Sequence, residues 1–149
     1  MKIKKLKLLI LLPILILGIA ACDDNDGNMD YPDAVIVKEL PKLLPNSSRE
    51  SLVIQSQKEL EAVYSKEELA RFEELQQIDF ESHTLLLGYG TYSNEVSYMK
   101  HSFLKKSSNS YVYLLVISGL ATRPDVFGYG ILVEKLQGKE RITFIIKKG

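Results

Sequence analysis

The sequence predicts an α+β domain: an antiparallel, strongly twisted β-sheet or sandwich with one helical region of two short helices. Three observations carry this reading. Ser56 with Glu59 and Ser65 with Glu68 form two Ser-x-x-Glu capping boxes, each opening a short apolar stripe. From Thr84 onward the chain changes to short apolar runs rich in β-branched and aromatic residues. Near the C-terminus, "RITFIIKK" alternates at the period of a strand, with Ile142, Phe144 and Ile146 on one face.

Taken in order, "AVIVKEL" and "LVIQS" read as strands on either side of the Pro-bounded segment from Pro41 to Pro45. "SQKELEAVY" and "SKEELARFEEL" read as consecutive helices, with Leu60, Val63 and Tyr64 on one stripe and Leu69, Phe72 and Leu75 on the other. "TLLLGYG" and "SYVYLLVIS" follow as strands. Both faces of "YVYLLVI" are apolar, which predicts a central strand covered on each side. "KKSSNS" is expected to be a loop, and "LQGKER" around Gly138 the turn of a terminal hairpin. The "GYG" triplets at 88–90 and 128–130 are expected at strand ends beside loops.

The front of the chain carries a different kind of signal. Lys2, Lys4, Lys5 and Lys7 precede a run of fourteen uncharged, mostly apolar residues from Leu8 to Ala21, ending in small residues. That is the layout of a secretory signal peptide, residues 1–21. A membrane-spanning helix needs about 18 to 20 apolar residues, and Pro13 interrupts this run. "IAAC" places Cys22, the chain's one cysteine, directly after the small residues. This resembles the lipobox of bacterial lipoproteins, and the resemblance implies lipid attachment at Cys22 with cleavage before it. Two or three acyl chains, at roughly 0.8 kcal/mol per buried methylene, make such an anchor effectively permanent. A solitary cysteine forms no internal disulfide, and lipidation removes what is otherwise a free thiol.

Residues 22–33 then read as an acidic disordered tether, holding five aspartates and too little apolar surface to offset the entropy of ordering. Its flexible span is roughly 18 Å. An acidic run after the acylated cysteine resembles the surface-export signal of Bacteroidetes lipoproteins, implying an outer-membrane anchor facing the cell surface, with a periplasm-facing anchor as the alternative. As a calcium loop the segment fits poorly. With Gly27 at the sixth position of an EF-hand, Cys22 falls at the first and Asp33, not Glu, at the twelfth.

The whole sequence carries 19 basic and 19 acidic residues, and removal of the signal peptide takes four lysines with it. The remainder is acidic, and the domain from Ala34 is near balance, so no nucleic-acid footprint is expected. Residues 34–149 suit one domain with one core.

The order of strand "LVIQS", helix "QKELEAVY", "IDFESHTLLLGYG", then paired strands closing in "FGYGILVEKL" and "RITFIIKK", resembles the PrcB-type domain, named for a bacterial protease complex subunit. The similarity runs from about Leu52 to Gly149. Many PrcB-like domains carry a "TGGY" turn after the apolar strand, where this chain has "GYGTYSNEVSY". The resemblance implies an accessory or binding role beside another exported protein, such as a protease complex, without catalysis or cofactor.

Catalytic and metal motifs are sparse. His83 and His101 form no HExxH, and Asp79 and Glu81 beside His83 make a weak zinc set. There is no GxSxG elbow. Glu67-Glu68 and Glu73-Glu74 read as solvated helix faces. A small hydrolase or carbohydrate-active protein using acidic loop residues is the alternative function, and a purely structural envelope component is a third. The candidate binding residues are Tyr92, Asn94, Arg123 and Phe127, in the loops "GTYSNE" and "LATRPDVFG", because interaction sites favour aromatic and Arg anchors on loops.

Overall fold

The computed structural model describes residues 34–41 and 50–149. The expected signal peptide, the lipid attachment at Cys22 and the acidic tether lie outside these described residues, as does most of the segment between Pro41 and Pro45.

Two sheets and a helical layer stack in three layers. β1 (Val35–Ile36), β2 (Ser51–Ile54), β3 (His83–Tyr92) and β6 (Asp125–Glu134) form a four-stranded antiparallel sheet in the order β1-β6-β3-β2. β4 (Tyr98–Ser107), β5 (Ser110–Ser118) and β7 (Arg141–Lys148) form a three-stranded sheet in the order β4-β5-β7. α1 (Gln57–Val63), α2 (Lys66–Leu69) and α3 (Glu73–Gln76) cover the far side of the larger sheet. This is the α+β sandwich expected from the sequence.

β3 and β6 form the middle layer. Leu86, Tyr92, Phe127, Tyr129, Ile131 and Val133 meet Phe103, Tyr113, Leu115 and Ile117 of the smaller sheet. On the opposite face, Leu85, Leu87 and Tyr89 pack on Leu60, Tyr64, Leu69 and Leu75 of the helices. Double burial explains the unbroken apolar run of "TLLL". It belongs to β3 rather than to β5. β5 is central in its sheet, but it alternates buried with half-buried residues, and Val112, Leu114 and Val116 face outward from the sandwich.

The helical region breaks into three pieces rather than two. Ser56 accepts the Glu59 N–H, and Ser65 and Glu68 complete a reciprocal capping box. The second expected helix splits at Ala70–Phe72, where Arg71 and Phe72 bond three residues back and tighten the turn. The break puts both Leu69 and Leu75 in the core, and the Gln76 side chain donates to the Leu69 carbonyl at 2.8 Å.

Three further expectations are corrected. The "GYG" triplets lie within β3 and β6, opposite each other: Gly88 pairs with Tyr129, Tyr89 with Gly128 and Gly90 with Phe127. Gly88 and Gly90 each lie across from an aromatic ring that fills the space a Cβ would take. An added Cβ at Gly88 would stand 2.1 Å from Tyr129, and one at Gly90 2.5 Å from Phe127. The connection through Gly138 is no hairpin, because β6 and β7 lie in different sheets and β7 pairs in parallel with β5. Gly138 takes a φ of 78°, and Lys135 Nζ donates to the carbonyls of Gln55 and Phe80, both at 2.7 Å, strapping this crossover to the helical side. "KKSSNS" is mostly strand, with a bulge between Lys105 and Ser107.

Candidate functional site

The loops joining β3 to β4 and β5 to β6 meet at one end of the sandwich, because both connect the two sheets there. They are zipped together by their backbones. Glu95 N–H donates to the Ala121 carbonyl at 2.9 Å and Ser97 N–H to the Ser118 carbonyl at 3.0 Å. Asn94 Nδ2 donates to the Gly119 carbonyl at 2.8 Å, and the Asp125 carboxylate accepts the Val96 N–H at 3.1 Å. The approach is so close that a Cβ on Gly119 would stand 1.7 Å from the Glu95 carbonyl oxygen. Arg123 closes the pair with an ion pair to Glu95 at 2.7 Å, its own side chain 73% exposed. Such an exposed pair adds little stability.

On this braced platform sits Leu120, 96% exposed, and beside its base Tyr98 is 52% exposed. Tyr98 pairs with Ser118, two residues before Leu120. A leucine held in water on a hydrogen-bonded loop costs apolar exposure and gains nothing within the fold.

Of the four residues expected from the sequence, Arg123 projects to solvent. Asn94 is half-buried and braces the loop pair. Tyr92 and Phe127 are core residues, 7% and 5% exposed. Their strands run farther than the loop boundaries suggested and turn both rings between the sheets, where the Tyr92 hydroxyl donates to the Gly149 carbonyl. Leu120 and Tyr98 were missed. The available signal was an isolated Leu between Gly119 and Pro124, in a loop too short to bury it.

Asp79, before β3, and Glu74, on α3, both hold backbone groups. Asp79 accepts the Glu81 N–H at 2.9 Å and the Ser82 hydroxyl at 2.7 Å, and these bonds hold its carboxyl below the usual carboxylate range. Glu74 accepts the Lys38 N–H at 2.8 Å, pinning the segment after β1 to α3. With His83 they line an open cavity of about 420 Å³. Among the described residues, no three His, Cys, Asp or Glu side chains are grouped to hold a metal ion. His101 faces inward, its Nδ1 2.7 Å from the Tyr113 hydroxyl, and burial pushes its pKa down. Tyr64 and Tyr89 share a hydroxyl–hydroxyl bond beneath the helices, and burial pushes Tyr64 up to about 12.

No family model, curated protein or solved structure matches this chain.

Proposed function

We propose that this chain is a lipid-anchored envelope protein whose domain binds another exported protein, with the β3–β4 and β5–β6 loop pair as its contact surface. The observation that carries the reading is Leu120, 96% exposed on a loop pair held by backbone hydrogen bonds and flanked by Arg123 and Tyr98. Arg and Tyr are the residue types that anchor protein interfaces. A platform that is already ordered loses less entropy on association than a floppy loop does. The lipobox-like "IAAC" and the acidic run after Cys22 support an outer-membrane anchor facing the cell surface, and the PrcB-like order of elements supports an accessory role beside a protein such as a protease complex. Glu74 and Asp79 bond backbone groups around α3 and the entry to β3.

The test is in-cell crosslinking from a photoreactive residue at Ser93, with Cys22→Ser as the anchor control. A discrete crosslinked partner should appear with the parent chain, and it should weaken with Leu120→Asp and with Arg123→Ala while the fold persists. An adduct pattern unchanged by both substitutions would sink the loop-pair reading. Metabolic labelling with an alkynyl fatty acid that is equal in the parent and in Cys22→Ser would sink the anchor.

A further inference from the structure

We propose that the free edge of β7 is a strand-addition site for an extended acidic segment of a partner protein. This surface is distinct from the loop pair, and its test does not depend on Leu120.

The parity of β7 shows which backbone groups are free. Arg141 N–H donates to the Asn109 carbonyl at 2.8 Å and Gly149 N–H to the Ile117 carbonyl at 2.9 Å. Between them the parallel ladder runs in register, so Arg141, Thr143, Ile145 and Lys147 turn their N–H and C=O groups toward β5. Ile142, Phe144, Ile146 and Lys148 therefore aim theirs at the other edge, and among the described residues no strand bonds to it. Eight residues in regular extended geometry are longer than most natural edges left open.

The same even-numbered residues point their side chains into the seam between the sheets, where β2, the edge of the larger sheet, does not close onto β7. Two open cavities lie along that seam. One, of about 310 Å³, is lined by Val53, Leu136 and Ile142, and the other, of about 320 Å³, by Tyr129, Phe144 and Ile146. A strand lying beside β7 would present alternate side chains about 7 Å apart toward this seam. Main-chain bonding along an edge, with pockets for alternate side chains, is the pattern of β-augmentation.

Charge selects the occupant. β7 carries Arg141, Lys147 and Lys148, all exposed, and no acid. A second copy adding through its own β7 would set these cations against their equals, which is unfavourable across a strand pair. The carboxylates along the seam are Glu59 and Glu140 at one cavity and Glu50 at the other. Glu59 and Glu140 accept backbone N–H groups, from Gln55 and from Gln137 and Lys139. The Lys135 ammonium, bonded to the Gln55 carbonyl, stands at the same cavity as Glu59 and Glu140, so the cations of β7 and Lys135 outnumber the acids. A partner segment with an apolar alternation between acidic ends satisfies both the seam and the strand.

The experiment uses the full chain in detergent micelles and a nine-residue peptide of alternating Val and Thr between Asp pairs. Amide hydrogen exchange is followed with and without the peptide. In the free chain, the amides of Ile142, Phe144, Ile146 and Lys148 should exchange quickly and those of Thr143 and Ile145 slowly; the peptide should slow the first set about tenfold or more. Ile146→Pro removes an edge donor without removing a ladder bond, and should abolish the slowing, whereas Ile146→Ala, which gives up the same contact with the core but keeps the donor, should retain it. Lys147→Glu with Lys148→Glu should shift preference to the same peptide with Lys pairs. The proposal is overturned if the peptide at millimolar concentration slows nothing, or if the charge-reversed variant keeps its preference for Asp. It is equally overturned if the even-numbered amides are already slow in the free chain. Concentration dependence of that protection would then identify a second copy as the cover, and independence a segment of the chain itself.

Discussion

Substituting Gly88 and Gly128, which belong to the same repeated triplet, should move stability in opposite directions. A Cβ at Gly88 would lie 2.1 Å from Cζ and 2.2 Å from the hydroxyl oxygen of Tyr129. Ordinary carbon contacts are about 3.5 to 4 Å, so the ring must retreat by well over an ångström. It has little room, because Tyr129 stands edge-on to Tyr113 with centroids 5.5 Å apart and an interplanar angle of 71°. Overpacking of this kind costs up to about 3 kcal/mol. Removing a strand glycine returns about 0.5–1 kcal/mol. Gly88→Ala should therefore lose about 2 kcal/mol, roughly 8 °C in thermal midpoint for a domain of this size. At Gly128 the nearest atoms to a Cβ are Leu40 Cβ and the Pro41 carbonyl oxygen, both at 3.5 Å, which is normal contact. Gly128→Ala should thus gain up to about 1 kcal/mol. Thermal melts followed by circular dichroism, with urea titrations to check that the m-value is constant, measure both. In the double variant Gly88→Ala with Tyr129→Ala, the losses should be strongly less than additive. Gly88→Ala as stable as the parent, or Gly128→Ala as damaging as Gly88→Ala, would refute the interlock.

Acid should weaken the fold through His101. Burial holds its imidazole below the ordinary value, so near pH 6.5 the unfolded chain binds a proton that the folded chain refuses. The unfolded state then binds more protons, and stability falls as pH drops from about 6.5 toward the lowered folded value. His101→Gln should flatten this dependence between pH 7.5 and 5.5, as read from urea midpoints; equal slopes for the two proteins would contradict it. Ser65→Ala removes one half of the capping box on α2 and should cost about 1 kcal/mol in the same assay.

The local chemistry of the helical region was legible in the sequence, because a capping box is satisfied within four residues. Ser56 and Ser65 cap where their Glu partners indicated, whereas the split after Leu69 depends on packing both Leu69 and Leu75 against β3. The loops at the sandwich end were legible from their Gly, Pro and polar residues. Which of their side chains face water was not, since Tyr92 and Phe127 belong to strands whose ends are set by pairing with each other's neighbours, Asp125 and Gly90. Leu120 escaped for the converse reason, as an apolar side chain normally signals burial, and only the bracing of its loop shows that it is held outside.

The sequence by itself determined the class of the domain, the starts of its first two helices, the shared face of Ile142, Phe144 and Ile146, and the lipobox-like resemblance around Cys22, because each rests on contacts or patterns a few residues long. The tertiary structure decided the strand order. That β7 crosses back to lie parallel to β5, that the two glycine-aromatic triplets interlock, and that β3 rather than β5 is buried on both faces all depend on pairings between distant segments. A strand's periodicity states which of its faces is apolar; it carries no information about which neighbour will bond to its edge or cover that face.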